Sequence, residues 1–306
     1  MLVQQDVVID PALSNVSVKY SNDSFIADQI FPVIPVAKQT GKYYVYDKSN
    51  LRIDKTTRAA GSGANEIGFG LSTVSFACDD HALKSFVADE IQEQAEAALN
   101  PLVDETETIT EKLMLDRELI LATILSDTAQ VTQNTTLSGT SQWSDYSNSD
   151  PIGDVRTART TVHAATFKKP NTLVLGKQTF DMLCEHPAII ERVKYSQLGV
   201  VTEELLARIF QVSRVIVGEA GQNTAAEGQT DSLSYVWGKH AWVCYIAPKV
   251  GLKTLTFGVT FTYKTRIVKR WRDEDREGTY VRVGQDNYVH KIVAVGAAYF
   301  IKNAVA

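Results

Sequence analysis

The residues best equipped for chemistry are carboxylates. Eight of them, Asp89, Glu90, Glu93, Glu96, Asp104, Glu105, Glu107 and Glu111, fall between Ser85 and Glu111 with no Lys or Arg among them. Paired carboxylates can run acid/base catalysis or hold a cation, but either task needs a closed site with orienting partners. No His accompanies this run, and a block of like charges is ordinarily a solvated helix face. The expectation is therefore a wet surface or a contact with another subunit. Cys184, Glu185 and His186 form the one close Cys/His pair, and a metal centre would need two more ligands that the sequence does not offer. A buried Cys184 and a surface His186 are expected instead.

The remaining tests for catalysis are negative. His81, His163, His186, His240 and His290 are isolated in sequence, which suits structural or surface roles. No G-x-S-x-G, H-E-x-x-H, G-x-G-x-x-G or G-x-x-x-x-G-K occurs, which removes the simplest hydrolase, zinc and nucleotide hypotheses. No catalytic residue, cofactor or metal is assigned, and the chain is expected not to be an enzyme. Cys78, Cys184 and Cys244 are scattered without C-x-x-C and suit free thiols in a reducing compartment.

Charge and hydropathy narrow the class further. Over 306 residues, 31 Lys and Arg stand against 36 Asp and Glu, a formal charge of −5. A broad basic surface for nucleic acid would look different. No apolar run approaches the roughly 18 to 20 residues that span a bilayer. The start MLVQQDVVIDPAL lacks a signal peptide's basic and apolar regions, so a soluble, unexported chain is expected, with no membrane partner.

The element that must position everything else is a long helix over Asp89 to Ser126, either continuous or two collinear pieces meeting at Pro101. Asn100 is a good N-cap residue and Pro101 fits the first helical position, whose N–H lacks a partner anyway. From Pro101 to Leu125 the helix would run roughly 37 Å at about 1.5 Å per residue. Leu102, Ile109, Leu113, Ile120 and Ile124 recur at helical spacing, with Thr106 filling a gap. One narrow stripe should pack, leaving the rest wet or shared.

Before this helix, Met1 to Ala37 is interrupted by Pro11, Pro32 and Pro35 and reads as an extended arm. It carries Phe25, Ile26, Ile30, Phe31, Val33 and Ile34, so it must lie on its own body or on a neighbour. Lys42 to Tyr46 and Val74 to Cys78 read as paired strands. The connection Asp47 to Thr73 contains Arg52, Lys55, Arg58 and Gly61-Ser62-Gly63 but no hydrophobic face, and predicts a protruding hairpin or loop.

After the helix, Thr128 to Ser149 reads as loops with short strands. Asp150-Pro151 starts a new helix through Ala165, and Pro170 ends it. Thr172 to Leu175 and Arg214 to Val217 are short buried strands; a helix over Gln178 to Val193 breaks at Pro187, and Thr202 caps another through Phe210. This alternation predicts an α/β lobe over Asp150 to Ile246. Gly218 to Ser232 reads as loop and Tyr235 to Ile246 as strand, with a tight turn or bulge at Gly238-Lys239 and with Trp237 and Trp242 as core or interface aromatics. From Gly258 the chain is β-rich, with Phe261, Tyr263 and Thr265 alternating against Thr262 and Lys264. The terminal stretch YVHKIVAVGAAYFI should pack beside the long helix, giving an α+β protein whose helical lobe is split in sequence by the α/β lobe.

RIDKTTRAAGSGANEIGFG at Arg52 to Gly70, followed by LSTVSFACDDHALKSFVADE, resembles the extended loop, return strand and approach to the spine helix of tailed-bacteriophage major capsid proteins of the Hong Kong 97 type. NTLVLGKQTFDMLCEHPAIIERVKY at Asn171 to Tyr195, then GVVTEELLARIF and VSRVIVGEA, is similar to that family's axial domain. The resemblance covers nearly the whole chain. It implies an arm at 1–37, an extended loop at 38–80, a peripheral domain with the spine helix at 81–149 and 249–306, and an axial domain at 150–248.

It further implies hexamers and pentamers closing an icosahedral shell around double-stranded DNA in the virion, assembled in the host cytoplasm. Phe25, Phe31, Lys42, Arg52, Lys55, Arg58 and Glu66 become the candidate contacts between subunits. Removing residues 1 to 37 should then leave a soluble protein that fails to close shells. Implied partners are the chain itself, a portal, a separate scaffolding protein, a decoration protein and packaged DNA held without sequence specificity. A scaffold that is a separate protein, or one removed beforehand, is expected because the arm begins almost at once, with no long charged helical region before it. Some relatives join a loop Lys to a neighbour's Asn; Lys42, Lys48 and Lys55 lie in that segment, but no motif fixes a partner Asn and solvated lysines are expected. The alternatives are an encapsulin-like nanocompartment shell and an α/β enzyme with a long-helix oligomer interface.

Overall fold

The computed structural model describes residues 8–9, 13, 24–46, 53, 56–64, 66, 71–94, 100–194, 201–226, 228–251 and 254–306. The spine helix runs from Pro101 to Ser126, with a shorter helix at Asp89–Gln94 before it. Asn100 occupies the cap position, but its side chain makes no capping hydrogen bond. Pro101 therefore carries the start alone.

The buried face of the spine differs from the expected stripe. It consists of Thr106, Ile109, Thr110, Leu113, Glu118, Leu121, Ala122 and Leu125, while Ile120 and Ile124 are only half-buried. The threonines tolerate burial because each hydroxyl donates to the carbonyl four residues back, Thr106 to Leu102 and Thr110 to Thr106, both at 2.7 Å. Ile109 and Leu113 pack against Val268, Val281 and Val283 of one sheet. Leu121, Ala122 and Leu125 enter the main core with Val174, Trp237 and Trp242. One helix thus serves two cores.

The first sheet has six strands. Its centre is Gly278–Ile292, a 15-residue strand that pairs antiparallel with Gly258–Lys264, Ile267–Asp273 and Asp79–Ala88. Val8–Ile9 extends one edge and Val33–Pro35 runs parallel to Gly258–Lys264 at the other. The long strand over Asp79–Ala88 was not foreseen, because its polar and charged residues mask a pairing made entirely with distant sequence. Phe261 and Thr262 are both buried, and Thr265 lies past the strand's end. The simple alternation expected there gives way because partners cover both faces.

Residues 24–36 correct the expectation of an extended arm. Ala27–Ile30 is a short helix, Val33–Pro35 is a strand, and Ile26, Ala27, Ile30 and Phe31 are buried in the main core. Pro32 and Pro35 bound an edge strand, where missing N–H groups are tolerated. Phe31 meets Phe257 edge-on at 5.4 Å. A Cβ at Gly258 would lie 2.1 Å from the Phe31 ring, so the ring's place requires glycine there.

The α/β lobe forms largely as read. Asp150 accepts from the Gly153 N–H and starts the helix Pro151–Thr166; Thr202 accepts from Leu205 N–H and starts Glu203–Ile209. Lys177–Glu185 and Pro187–Val193 meet at the expected proline break. Thr172–Gly176 and Arg214–Gly218 pair in parallel. The turn expected at Gly238-Lys239 forms over residues 236–239, with Gly238 at φ +55, and it divides the stretch so that Ala241–Cys244 follows as a separate strand. The loop expected over Gly218 to Ser232 carries one strand, Gly221–Asn223, paired with Leu233–Tyr235.

Two stretches assigned to the helical lobe belong to this second sheet. Ala298–Lys302 pairs antiparallel with Ala241–Cys244, and Asn134–Thr136 pairs parallel with Ala298–Lys302. A one-turn helix at Val295–Ala297 redirects the chain from one sheet to the other. The apolar strand then stacks Phe300 on Trp242 with centroids 5.2 Å apart, a burial the first sheet does not offer. Trp237 and Trp242 are fully buried, as expected.

Candidate functional site

The hairpin is built by Thr40–Tyr46 and Leu71–Ala77 in antiparallel register, Thr40 opposite Ala77 and Tyr46 opposite Leu71. Alternation gives it two unlike faces. On the inner face Phe76 stacks on Phe261 at 4.2 Å, and the buried Tyr43 donates its hydroxyl to the Ile292 carbonyl at 3.3 Å. Gly41 faces Phe76 so closely that a Cβ would sit 2.8 Å from the ring. On the outer face Lys42, Tyr44, Thr73 and Ser75 are exposed. The base is thus fixed to the first sheet while the outer face is open to a partner.

Toward the tip, the described residues are all exposed, Ile53 at 95%. Arg58 and Glu66 are among them. Ser62 N–H bonds to the Ala59 carbonyl at 3.2 Å and Gly61 takes φ +83, a tight turn that glycine allows. Arg52 and Lys55 lie outside the described residues. Phe25 is half-buried. Phe31 is a correction: at 0% exposure it is enclosed by its own subunit and has no surface left for a neighbour.

Sequence reading missed the joint that holds the arm. Glu118 is 1% exposed. Its Oε1 accepts from Ile26 N at 2.9 Å and from Trp237 Nε1 at 2.7 Å, and its Oε2 accepts from Ala27 N at 2.8 Å. The carboxylate thereby satisfies N–H groups at the start of the arm helix that have no helical partner and ties arm, spine and α/β lobe together. Burial raises its pKa above the ordinary carboxylate value, against the pull of those three bonds. A signal existed: Glu118 lies three residues before Leu121 and four before Ala122, and so shares the helix face that these apolar residues pack.

Beside this joint a charged network links the arm and the spine to the first sheet. Arg117 pairs with Asp28 of the arm and lies 4.9 Å from the Tyr288 ring centre. His81 stacks on Tyr288 at 4.4 Å and approaches Asp116 at 3.4 Å. Arg266 reaches Asp286 at 3.7 Å, and burial raises the Asp286 pKa while both arginines oppose it. His290 lies against Thr260 at 2.8 Å, and burial holds its pKa down to about 3.

Within the acid run Glu90, Glu93, Asp104, Glu107 and Glu111 are exposed, in keeping with a wet surface, while Glu105 is half-buried, half-buried Asp89 pairs with Arg272 at 2.8 Å, and Glu96 lies outside the described residues. The Cys/His expectation is reversed. His186 is buried and Cys184 half-buried. His186 Nδ1 accepts from Ala188 N and caps the helix Pro187–Val193, while Nε2 lies 3.0 Å from Ser149 Oγ. A proline-bounded helix start recruits the ring, and burial lowers its pKa.

Known proteins share this arrangement. The model of phage major capsid protein E matches residues 125–283. The major capsid protein of Pseudomonas phage JBD67 is 32% identical over 97% of each chain. A phage-related protein from Bordetella bronchiseptica RB50 superposes with a TM-score of 0.78 at 27% identity, over 98% of this chain and 99% of that one. The capsid protein of cyanophage P-SCSP1u, at 8% identity, shares the fold alone, with a TM-score of 0.63 over 93% of this chain and 89% of that one. With a family model matching more than half of its residues and a coat protein similar along nearly its full length, the chain belongs to the phage major capsid protein E family, with the Hong Kong 97-type α+β fold.

Proposed function

We propose that this shell-forming coat protein closes into hexamers and pentamers of an icosahedral capsid around double-stranded phage DNA, with the hairpin at 38–80 clasping a neighbouring subunit. The observation that carries the reading is the two-faced hairpin: Phe76 and Tyr43 anchor it, while Lys42, Tyr44 and the described tip residues Arg58 and Glu66 stay exposed. A segment with no core of its own gains its burial in the assembly, so stability belongs partly to the shell. The work is interface burial rather than bond-making, and no catalytic role is assigned.

In this reading 150–248 surrounds the capsomer axis and the spine with the first sheet forms the wall, the second sheet borrowing Asn134–Thr136 and Ala298–Lys302. A portal, a separate scaffolding protein, a decoration protein and DNA contacts without sequence specificity complete the proposed partners, with assembly in the host cytoplasm. Electron microscopy of the full chain should show polyhedral particles or capsomer rings. Replacing residues 47–70 by a short Gly/Ser linker should leave folded subunits that do not close. Normal shell yield from that variant would refute the clasp, and small uniform oligomers from the intact chain would refute the shell.

A further inference from the structure

The helix Pro151–Thr166 presents Arg156, Arg159 and His163 along one face, since residues three, four and seven apart are neighbours on a helix. Lys169 follows the helix, and Arg192 arrives from Pro187–Val193. Together they line an open cavity of about 410 Å³ that contains no carboxylate among the described residues. Elsewhere Arg117, Lys177, Arg266 and Arg272 each meet an Asp or Glu. Among the described residues, Arg156, Arg159, Lys169 and Arg192 have no ion pair. In a chain of formal charge −5, four uncompensated cations around one cavity run against the overall balance.

Arg159 is the best placed of them. It is half-buried, its Nη1 donates to Gln211 Oε1 at 3.1 Å, and its Nε is buried with no partner. Gln211 is held in the left-handed region at φ +53 and closes one side of the cavity. A guanidinium fixed on one edge keeps a donor free on another, a geometry that suits the oxygens of an anion. Buried Val155 and Phe210 form an apolar floor, which strengthens the field of the cations above it.

We propose that this cavity binds phosphate groups, carried either by a free oligophosphate or by a nucleic acid backbone. Four permanent cations exceed what one carboxylate can neutralise, and arginines match phosphate through paired N–H donors. The volume exceeds a single phosphate, so more than one group is accommodated. The site does not depend on the clasp or on shell closure.

Isothermal titration of the full chain at low salt, with sodium tripolyphosphate, short single-stranded DNA and hexaglutamate as probes, tests this. Saturable binding of a phosphate probe is expected, weakened about tenfold by R192Q and by R156Q, as for loss of one charge-assisted contact. Both residues are exposed, so these variants should fold even where R159Q does not; K84Q serves as a distant control. Tighter binding of DNA than of tripolyphosphate assigns a nucleic acid, the reverse a free oligophosphate, and either supports the site. Hexaglutamate binding more tightly than both would identify an acidic peptide site instead. Affinity unchanged in R156Q and R192Q, or no saturable binding, overturns the proposal.

Discussion

Both carboxylate oxygens of Glu118 act as acceptors, Oε1 for Ile26 N and Trp237 Nε1 and Oε2 for Ala27 N. E118Q keeps the shape but turns an NH₂ toward one of those N–H groups, leaving a buried donor unpaired. The variant should lose about 1–3 kcal/mol, read as a lower urea midpoint of unassembled subunits. An unchanged midpoint would mean that the arm is held without this carboxylate. His290 gives a pH signature. Its folded pKa of about 3, set by burial with Arg117 and His81 nearby, lies below the ordinary value of about 6.5. The unfolded chain takes up a proton in that window that the folded chain refuses, so this stability is complete above the ordinary value and lost as pH falls through it. The slope is at most about 1.4 kcal/mol per pH unit. Glu118 and Asp286, with raised values, contribute the opposite sign, so the comparison must be made between chains: H290Q should lose less stability than the native chain from pH 7 to pH 5. Parallel losses would exclude His290 as the source. The sequence placed Glu118 on a packed helix face and allowed His290 a structural role, but the burial of neither was legible, because a lone charge or imidazole reads as wet until the partners that dry it are placed.

Elements whose signals are local were legible. Asp150-Pro151, Thr202 and the Pro187 break specify their own helix boundaries through adjacent backbone. The hairpin was legible too, from two β-prone runs around a segment without a hydrophobic face. What stayed hidden was pairing across distance: Asp79–Ala88 gains its sheet only from Gly278–Ile292, and Ala298–Lys302 changes sheets after a single helical turn. The arm shows the cost of reading prolines as breakers alone. Because Ile26, Ile30 and Phe31 fill the main core and Val33–Pro35 completes the first sheet, deleting residues 1–37 should not give the soluble, assembly-defective subunit that an external arm implies. It should give insoluble protein, or soluble protein without cooperative unfolding, scored by fractionation and circular dichroism. A soluble deletion variant with a native melt would return the arm to an external role.

The whole subunit is organised by the spine helix, whose first half packs on the first sheet and whose second half enters the core of the α/β lobe. Glu118 sits where the two meet and adds the arm to both. The chain also crosses between lobes at Val295–Ala297 and around Asn134–Thr136, so neither sheet is complete without sequence that flanks the other. Such interleaving predicts one cooperative unit rather than two domains melting independently. Leu121, fully buried beside that joint, provides the test. L121A should cost about 2–5 kcal/mol through lost burial and a residual cavity. If the spine couples the lobes, tryptophan fluorescence in a W271F background, where Trp143, Trp237 and Trp242 remain to report the second sheet's surroundings, and far-ultraviolet circular dichroism should shift to the same lower midpoint. A variant in which fluorescence melts early while most of the secondary structure persists to the native midpoint would show two separable lobes. If the hairpin clasps a neighbour as proposed, a pull on it enters the first sheet through Phe76 and reaches the α/β lobe through the spine, so a subunit that melts as one unit would carry that load between its lobes without coming apart.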